Sequence, residues 1–292
     1  MKFRGCGTAL VTPFHTDGSL DEQALRSLVR RQIENGIDFL VPCGTTGESP
    51  TLRPEEHLRV VEITIEEANG KVPVLAGAGG YNTHEVIELA GEINDLGADG
   101  ILSVTPYYNK PTQEGLYQHY AAICKAVGLP VIVYSVQGRT GVNVEPATVR
   151  RLAEIPNVVG IKEASGNINQ IGRICAEAPD GFAVLSGDDA LTLPLLAFGG
   201  HGLISVASNV IPREMTDLVH AGVDGDFAKC RELHRRWLPI MDVFFVESNP
   251  IPVKAAMAAM NLLENSYRLP MVPPSEANHA RILSVLRAGG LV

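Results

Sequence analysis

The chain has 292 residues, 45% of them hydrophobic and 20% charged, with a formal net charge of −9 at pH 7. This composition is typical of a folded globular protein, and the negative charge argues against nucleic acid or an anionic membrane as the main partner. No apolar run reaches spanning length and the N-terminus lacks a long apolar segment, so we expect neither a membrane span nor a secretory signal. Five scattered cysteines without a CxxC pair predict reduced thiols in a cytoplasmic protein.

Short apolar runs alternate with helical patterns along most of the chain. The runs are almost continuously hydrophobic, which is typical of parallel strands covered on both faces. Eight such units within roughly 250 residues predict a (β/α)8 TIM barrel. A doubly wound open sheet is the alternative, but no GxGxxG follows the first run. The predicted strands are Gly7–Pro13, Phe39–Cys43, Pro73–Gly77, Gly100–Thr105, Pro130–Val136, Val158–Ala164, Phe182–Ser186 and Gly202–Ala207.

Start signals mark several of the intervening helices. Ser19 with Glu22 fits a capping box, and Thr83 and Asn167 fit N-cap positions. We therefore predict helices that begin directly after these residues.

No linker or change of composition divides the chain. We predict that residues 1–223 form the barrel, which carries the active site, and that residues 224–292 form a C-terminal helical extension. Helices are expected at Asp226–Arg236 and Ser275–Arg287 within this extension.

Functional residues of such a barrel lie at the carboxyl ends of its strands and in the loops that follow. After the second strand, the loop Gly44–Ser49 carries Thr45 and Thr46, whose hydroxyls and neighbouring N–H groups suit a carboxylate or phosphate. An ordinary turn is the alternative. After the fourth strand, the adjacent tyrosines of Thr105–Pro111 are suited either to proton transfer or to packing at an interface.

The fifth strand contains Tyr134, whose side chain is expected inside the barrel next to the strand that carries Lys162. A phenol there can move protons during imine formation. Arg139 follows between two glycines and offers a planar fork for a substrate carboxylate, with a plain surface arginine as the alternative.

Lys162 lies within the sixth apolar strand and shares a face with Gly160 and Ala164. Burial there penalises the ammonium form and lowers the pKa, and a neutral amine in an apolar pocket is what imine chemistry on a carbonyl requires. A buried strand lysine is more often a satisfied structural charge. Among the seven lysines, only Lys254 also lies in an apolar run.

The order and spacing of these segments resemble the dihydrodipicolinate synthase family over nearly the whole chain. None of the segments is specific alone, but together they are. The matching segments are Gly44–Glu48, Thr105–Pro111, Tyr134, Gly138–Gly141, Gly160–Ala164, Leu185–Asp189, Gly199–Gly202 and Asn249–Lys254.

The resemblance implies an aldolase-like lyase without a cofactor or metal, usually a homotetramer of two tight dimers, in the pathway to lysine and diaminopimelate. Its substrates would be pyruvate, which forms an imine with Lys162, and L-aspartate 4-semialdehyde, and its product 4-hydroxy-tetrahydrodipicolinate. The implied site residues are Tyr134, Thr45 and Tyr108 of the partner subunit as proton relay, Thr46 for the pyruvyl carboxylate, Arg139 for the semialdehyde carboxylate, and Gly187 and Ile204 as pocket lining.

Three departures from the family pattern lie near the site: Ser135 replaces the usual Asn after Tyr134, Gln137 replaces a frequent Pro, and Ser248 replaces another Pro. We expect Ser135 to alter the hydrogen bonding around Tyr134.

A second group of positions bears on regulation. His57 and Glu85 fit the lysine pocket of regulated members, whereas Pro54 and Tyr81 replace its usual His and Asn, so weak or absent feedback by lysine is expected.

Two other functions fit parts of this pattern. Sialic-acid lyases and keto-deoxy-sugar acid aldolases share the barrel, the Tyr and the Lys, but generally lack the Gly-Arg-Thr-Gly segment, so Arg139 is the discriminating residue. A barrel that binds a keto acid without turning it over is the second, and the pairing of Lys162 with Tyr134 argues against it.

Overall fold

The computed structural model describes residues 2–292, and its central element is a parallel sheet of eight strands. The strands run almost without polar interruption because both of their faces are buried. Their bounds are β1 (Gly5–Ala9), β2 (Phe39–Val41), β3 (Leu75–Gly77), β4 (Gly100–Val104), β5 (Val131–Ser135), β6 (Val158–Glu163), β7 (Ala183–Ser186) and β8 (Gly202–Ser205).

The sheet closes into a barrel. Seven strand pairs follow the order β2-β1-β8-β7-β6-β5-β4-β3. The remaining gap, between β2 and β3, is closed by a parallel bridge from Leu40 to Val74 and by a 2.9 Å hydrogen bond from the Gly77 N–H to the Pro42 carbonyl. The predicted (β/α)8 barrel is confirmed.

Helices cover the outside of the barrel. None of those within residues 2–292 is both long and apolar enough to cross a membrane. The helices are α1 (Glu22–Glu34), α2 (Pro54–Ala68), α3 (Thr83–Asp95), α4 (Gln113–Ala126), α5 (Gln137–Thr140), α6 (Pro146–Leu152), α7 (Ile168–Glu177), α8 (Thr192–Ala197), α9 (Pro212–Val223), α10 (Phe227–Val243), α11 (Ile251–Ala259) and α12 (Glu276–Ala288).

Two of the predicted helix starts are wrong. The N-cap of α1 is Asp21, whose carboxylate accepts from the Ala24 N–H, whereas the Ser19 hydroxyl donates to Asp17. The N-cap of α3 is Asn82 and not Thr83. The predicted cap at Asn167 is confirmed, since its side chain accepts from two backbone N–H groups of α7. The signals at Ser19 and Thr83 located their helices correctly but not the first residue of each.

The last barrel helix, α9, ends at Val223, and three further helices follow. Helix α10 extends beyond the predicted end at Arg236 because Pro239 interrupts only one hydrogen bond and the helix continues to Val243. Helix α11 was not predicted. Its residues Ile251–Met257 are all buried, so no polar face marks it as a helix in the sequence.

Two apolar layers result. The larger one lies between the strands and the helices. The smaller one fills the barrel interior, where Ile132, Leu185 and Ile204 pack around Tyr134. Since side chains alternate along each strand, the interior faces of β5 and β6 carry Tyr134 and Lys162.

Candidate active site

Lys162 and Tyr134 are neighbours on adjacent strands of the barrel. The two residues pair directly in the register of β5 and β6, and the Lys162 Nζ lies 4.3 Å from the centre of the Tyr134 ring. Lys162 is 5% exposed. Burial lowers its pKa to about 7, with the Asp189 carboxylate acting in the opposite direction and Arg139 in the same one. Part of the amine is therefore neutral near pH 7.

The rival lysine, Lys254, has a different environment. It is fully buried, and its Nζ lies 2.6 Å from Oε1 of Glu48. Burial lowers the pKa of Lys254, while the Glu48 carboxylate favours the ammonium form. Within residues 2–292, Lys162 has no ion-pair partner at all. Lys254 is thus a paired charge, and Lys162 is the amine suited to attack a carbonyl.

Tyr134 is also buried, and burial raises the pKa of its phenol, with Arg139 and the Thr45 hydroxyl acting against that rise. A protonated phenol beside an amine can both donate and accept a proton as an imine forms. The predicted placement of Tyr134 next to Lys162 is what the strand register shows.

The hydroxyl loop, Gly44–Ser49, follows β2 and reaches the same region. Thr45 lines a cavity of about 190 Å³ together with Tyr134 and Tyr107. Thr46 is buried, and its Oγ1 accepts a 2.9 Å hydrogen bond from the Asn249 side chain. The loop therefore presents one hydroxyl at the cavity and holds the other one in a hydrogen bond.

Arg139 lies in the short helix α5, which follows β5. Its Nη2 donates to the Asn249 carbonyl at 3.0 Å. Its charge acts on both Tyr134 and Lys162, which places the guanidinium near the carboxyl ends of β5 and β6. The other guanidinium donors remain available for an anionic ligand.

Gly187, which directly follows β7, lies next to Lys162, and Ile204 lies in β8. A Cβ at Gly187 would lie 3.1 Å from the Lys162 Cε and 2.7 Å from the Ala164 Cβ, so only glycine fits there without a shift. Ile204 is fully buried in the interior layer.

Tyr108 is the predicted site residue that the fold does not bring to Lys162. It is 89% exposed, and its backbone has a φ of 60°. Tyr107, which has no separate role in the sequence-based prediction, lines the cavity and packs edge-on against Tyr81, with ring centres 5.1 Å apart. The one sequence signal for Tyr107 was its position next to Tyr108 in the segment Thr105–Pro111.

Ser135 does not alter the surroundings of Tyr134 as expected. Because it follows Tyr134, its side chain lies on the opposite face of β5, where Oγ accepts from the Val144 N–H at 3.1 Å. It sits beside Asn143, which pairs with Gln170, and Gln170 in turn donates to Glu163. That expectation is wrong for a geometric reason: the side chain points out of the barrel.

Asp189 is a buried carboxylate that the sequence reasoning did not single out for a role. It accepts from the Ser205 hydroxyl and from the N–H groups of Val206 and Ala207. Burial raises its pKa to about 6 despite these bonds. Its charge supports the ammonium form of Lys162.

Potential metal ligands lie elsewhere. Within residues 2–292, the one group of three is His15, Asp21 and Glu264. The His15 Nδ1 is 3.0 Å from Glu264, while Asp21 caps α1. None of the three lines the cavity at Tyr134.

A partly neutral lysine beside a phenol, inside the carboxyl end of a (β/α)8 barrel, defines a lyase that works through a Schiff base. The model of the Dihydrodipicolinate synthetase family matches residues 2–288. The chain belongs to this family.

Individual relatives are similar to this chain over nearly its full length. A 4-hydroxy-tetrahydrodipicolinate synthase of Koribacter versatilis is 55% identical over 293 residues, which cover 100% of this chain and 98% of that protein. The crystal structure of dihydrodipicolinate synthase from Thermotoga maritima is 49% identical, covers 100% of both chains and has a TM-score of 0.98. A chloride-inhibited synthase from Acinetobacter baumannii, solved with pyruvate, is 43% identical, covers 99% of both chains and has a TM-score of 0.97.

Proposed function

We propose that Lys162 is the imine-forming residue with which the chain condenses pyruvate and L-aspartate 4-semialdehyde into 4-hydroxy-tetrahydrodipicolinate, the reaction of its family. The observation that carries this assignment is the Lys162 amine itself, which is buried against Tyr134, has no ion-pair partner within residues 2–292 and has a pKa of about 7. Such an amine is a nucleophile at neutral pH.

The reaction forms three new bonds in succession: the imine bond to Lys162, a carbon–carbon bond and the bond that closes the ring. The Lys162 amine adds to the keto carbon of pyruvate, and loss of water gives an imine. Loss of a methyl proton gives the enamine, whose carbon attacks the aldehyde carbon of the semialdehyde and converts the aldehyde oxygen into a hydroxyl. The amine of the semialdehyde then displaces Lys162 from the imine carbon, which closes the ring and frees the enzyme.

Three hydroxyls move the protons of these steps. Tyr134 exchanges a proton with the carbinolamine because it lies against Lys162, and Thr45 lies within reach of the Tyr134 hydroxyl. The partner subunit's Tyr108 completes the relay in a homotetramer built from tight dimers. The exposure of Tyr108 supports this, since the residue lies at the surface of its own protomer.

Two side chains bind the carboxylates. Thr46 holds the carboxylate of pyruvate through its hydroxyl and N–H donors in the hydroxyl loop. The hydrogen bond from Asn249 to the Thr46 hydroxyl supports this, because it orients that hydroxyl. Arg139 holds the carboxylate of the semialdehyde with donors not used by Asn249. The backbone at Gly187 and Ile204 lines the pocket.

Borohydride trapping with pyruvate, followed by peptide mass spectrometry, tests the assignment. Reduction of the imine is expected to leave the pyruvate-derived adduct on Lys162 of the wild-type protein, and a coupled assay with L-aspartate 4-semialdehyde should show turnover. An adduct on Lys254, or no adduct, overturns the assignment.

A further inference from the structure

The ion pair between Glu48 and Lys254 takes no part in this chemistry, yet it is the most deeply buried ion pair within residues 2–292, with side chains 1% and 0% exposed. Removing two charges from water costs free energy that their attraction offsets only in part. Apolar residues of similar volume are often as stabilising in such places. Stability alone is therefore a weak reason for the pair.

The position of the pair is informative. Glu48 lies in the same loop as Thr45 and Thr46, and it has a φ of 53°, a conformation uncommon for a residue with a side chain. Such a backbone persists where its surroundings fix it. Oε1 of Glu48 is fixed by the Lys254 ammonium, while Oε2 has no hydrogen-bond partner within residues 2–292.

The same segment of the C-terminal extension holds the loop at a second point. Asn249, just before α11, donates to the Thr46 hydroxyl, and Lys254 in α11 binds Glu48. The carbonyl of Asn249 also accepts from Arg139. One short segment, residues 249–254, thus contacts the hydroxyl loop at two residues, Thr46 and Glu48, and also contacts Arg139.

We propose that Glu48 and Lys254 are positioning residues: their ion pair fixes the hydroxyl loop against α11 and so keeps Thr45 and Thr46 where the proton relay and the pyruvate carboxylate need them. The role rests on the function proposed above, because it acts only through these two threonines. Lys254 itself forms no bond to substrate.

Three variants separate positioning from stability. Lys254→Met leaves the Glu48 carboxylate buried and unpaired, Glu48→Gln keeps a hydrogen bond to Lys254, and the double variant removes both charges. Thermal unfolding is expected to rank the double variant above Lys254→Met, because no unpaired charge remains. Turnover is expected to rank differently: Glu48→Gln stays nearest the wild type, whereas Lys254→Met and the double variant both lose about 10- to 100-fold in kcat.

The Michaelis constants test the same role through substrate binding. The KM for pyruvate is expected to rise in Lys254→Met and in the double variant, because Thr46 is displaced, and the KM for the semialdehyde is expected to change less. A control variant, Arg26→Met, breaks the pair between Arg26 and Glu67 on the outer helices and should affect thermal unfolding alone.

Two results overturn the positioning role. One is a double variant that recovers wild-type kcat and KM together with its stability; the other is a loss of activity that follows the unfolded fraction in all three variants. If the double variant does not fold, the same criteria of activity and unfolded fraction are applied to Glu48→Gln and Lys254→Met alone. Borohydride trapping of the wild type keeps the two proposals apart, since a missing Lys162 adduct overturns the reaction, and an unimpaired double variant overturns only the role of the pair.

Discussion

Within residues 2–292, the two buried lysines, Lys162 and Lys254, are expected to behave differently because only Lys254 has an ion-pair partner. Desolvation lowers the pKa of both Lys162 and Lys254. At Lys254 a carboxylate 2.6 Å away keeps the charge, whereas the nearest influences on Lys162 are a phenol ring and a carboxylate bound to other donors. The presence of a carboxylate partner, more than burial, distinguishes the structural charge of Lys254 from the proposed nucleophile, Lys162.

The pKa of Lys162 predicts the acid limb of the pH profile. The neutral amine is the nucleophile, and its fraction grows as pH rises through about 7. We therefore expect kcat/KM for pyruvate to increase with pH along a limb with an apparent pKa near that value and then to level off. Initial rates at low pyruvate concentration measure it, and a flat profile from about pH 6 to about 8 would contradict the prediction.

The same limb tests Asp189. Its carboxylate favours the ammonium form of Lys162, so Asp189→Asn is expected to lower the pKa of Lys162 and move the limb to lower pH. The amide oxygen can still accept from the backbone N–H groups that Asp189 binds. Ser205→Ala serves as the control, because it removes a hydrogen bond but keeps the carboxylate, and a shift to higher pH in Asp189→Asn would refute the argument.

At the residue level, the sequence predicted the side-chain positions that follow from alternation along the strands. It placed Tyr134 beside Lys162 because both lie on the inner faces of adjacent strands. It did not predict the pairing of Lys254 with Glu48, which lies 206 positions away, or the burial of Asp189 under the end of β8. These contacts depend on how distant segments meet, and periodicity carries no information about that.

At the level of elements, β6 and β7 approach each other so closely that the site depends on the absence of a side chain at Gly187. The added Cβ of Gly187→Ala would crowd Ala164 and the Lys162 Cε. We expect a cost of about 1–3 kcal/mol in the free energy of unfolding and a loss of imine formation as Lys162 shifts.

Gly91→Ala is the matched control for this variant. Gly91 lies within α3, and a Cβ there would meet nothing within 4 Å. This variant should be as active as the wild type and slightly more stable, by about 0.5–1 kcal/mol. Denaturant unfolding and the rate of borohydride trapping give both quantities; equal trapping rates in the two variants would show that the close approach at Gly187 does not matter to Lys162.

Strand and helix positions were predictable to different degrees. The eight apolar runs located all eight strands, with the largest difference at β1, which was predicted at Gly7–Pro13 and spans Gly5–Ala9. Helix α11 was missed because its seven residues from Ile251 to Met257 are all buried. A helix that is apolar on every side has no amphipathic signal, and Lys254 is the one charge it contains.

For the whole molecule, the barrel follows from the repeated sequence pattern. Whether a single protomer holds every residue of the proposed site does not follow from that pattern. Thr45, Tyr134 and Lys162 come together in a single chain, whereas Tyr108 lies exposed at its surface. The proposed relay needs the partner subunit's Tyr108, so we expect activity to depend on the assembly.

Hybrid assemblies test this dependence. Lys162→Ala and Tyr108→Phe are each expected to be nearly inactive alone. Co-expressed with different affinity tags and purified as a hybrid, the two chains form one site with an intact Lys162 and the partner subunit's Tyr108, and a second site that lacks both. Each hybrid dimer should therefore recover about half of the wild-type activity.

A hybrid of Lys162→Ala with Tyr134→Phe is the control, because the register of β5 and β6 places both residues in one protomer. Neither of its sites has both groups, so no activity should return. Because the two hybrids differ only in whether the second residue lies in the same protomer as Lys162, recovery in the first alone assigns Tyr108 to the partner's site. Equal failure of both hybrids would place Tyr108 in the site of its own protomer, whereas full activity of Tyr108→Phe alone would place it outside the relay.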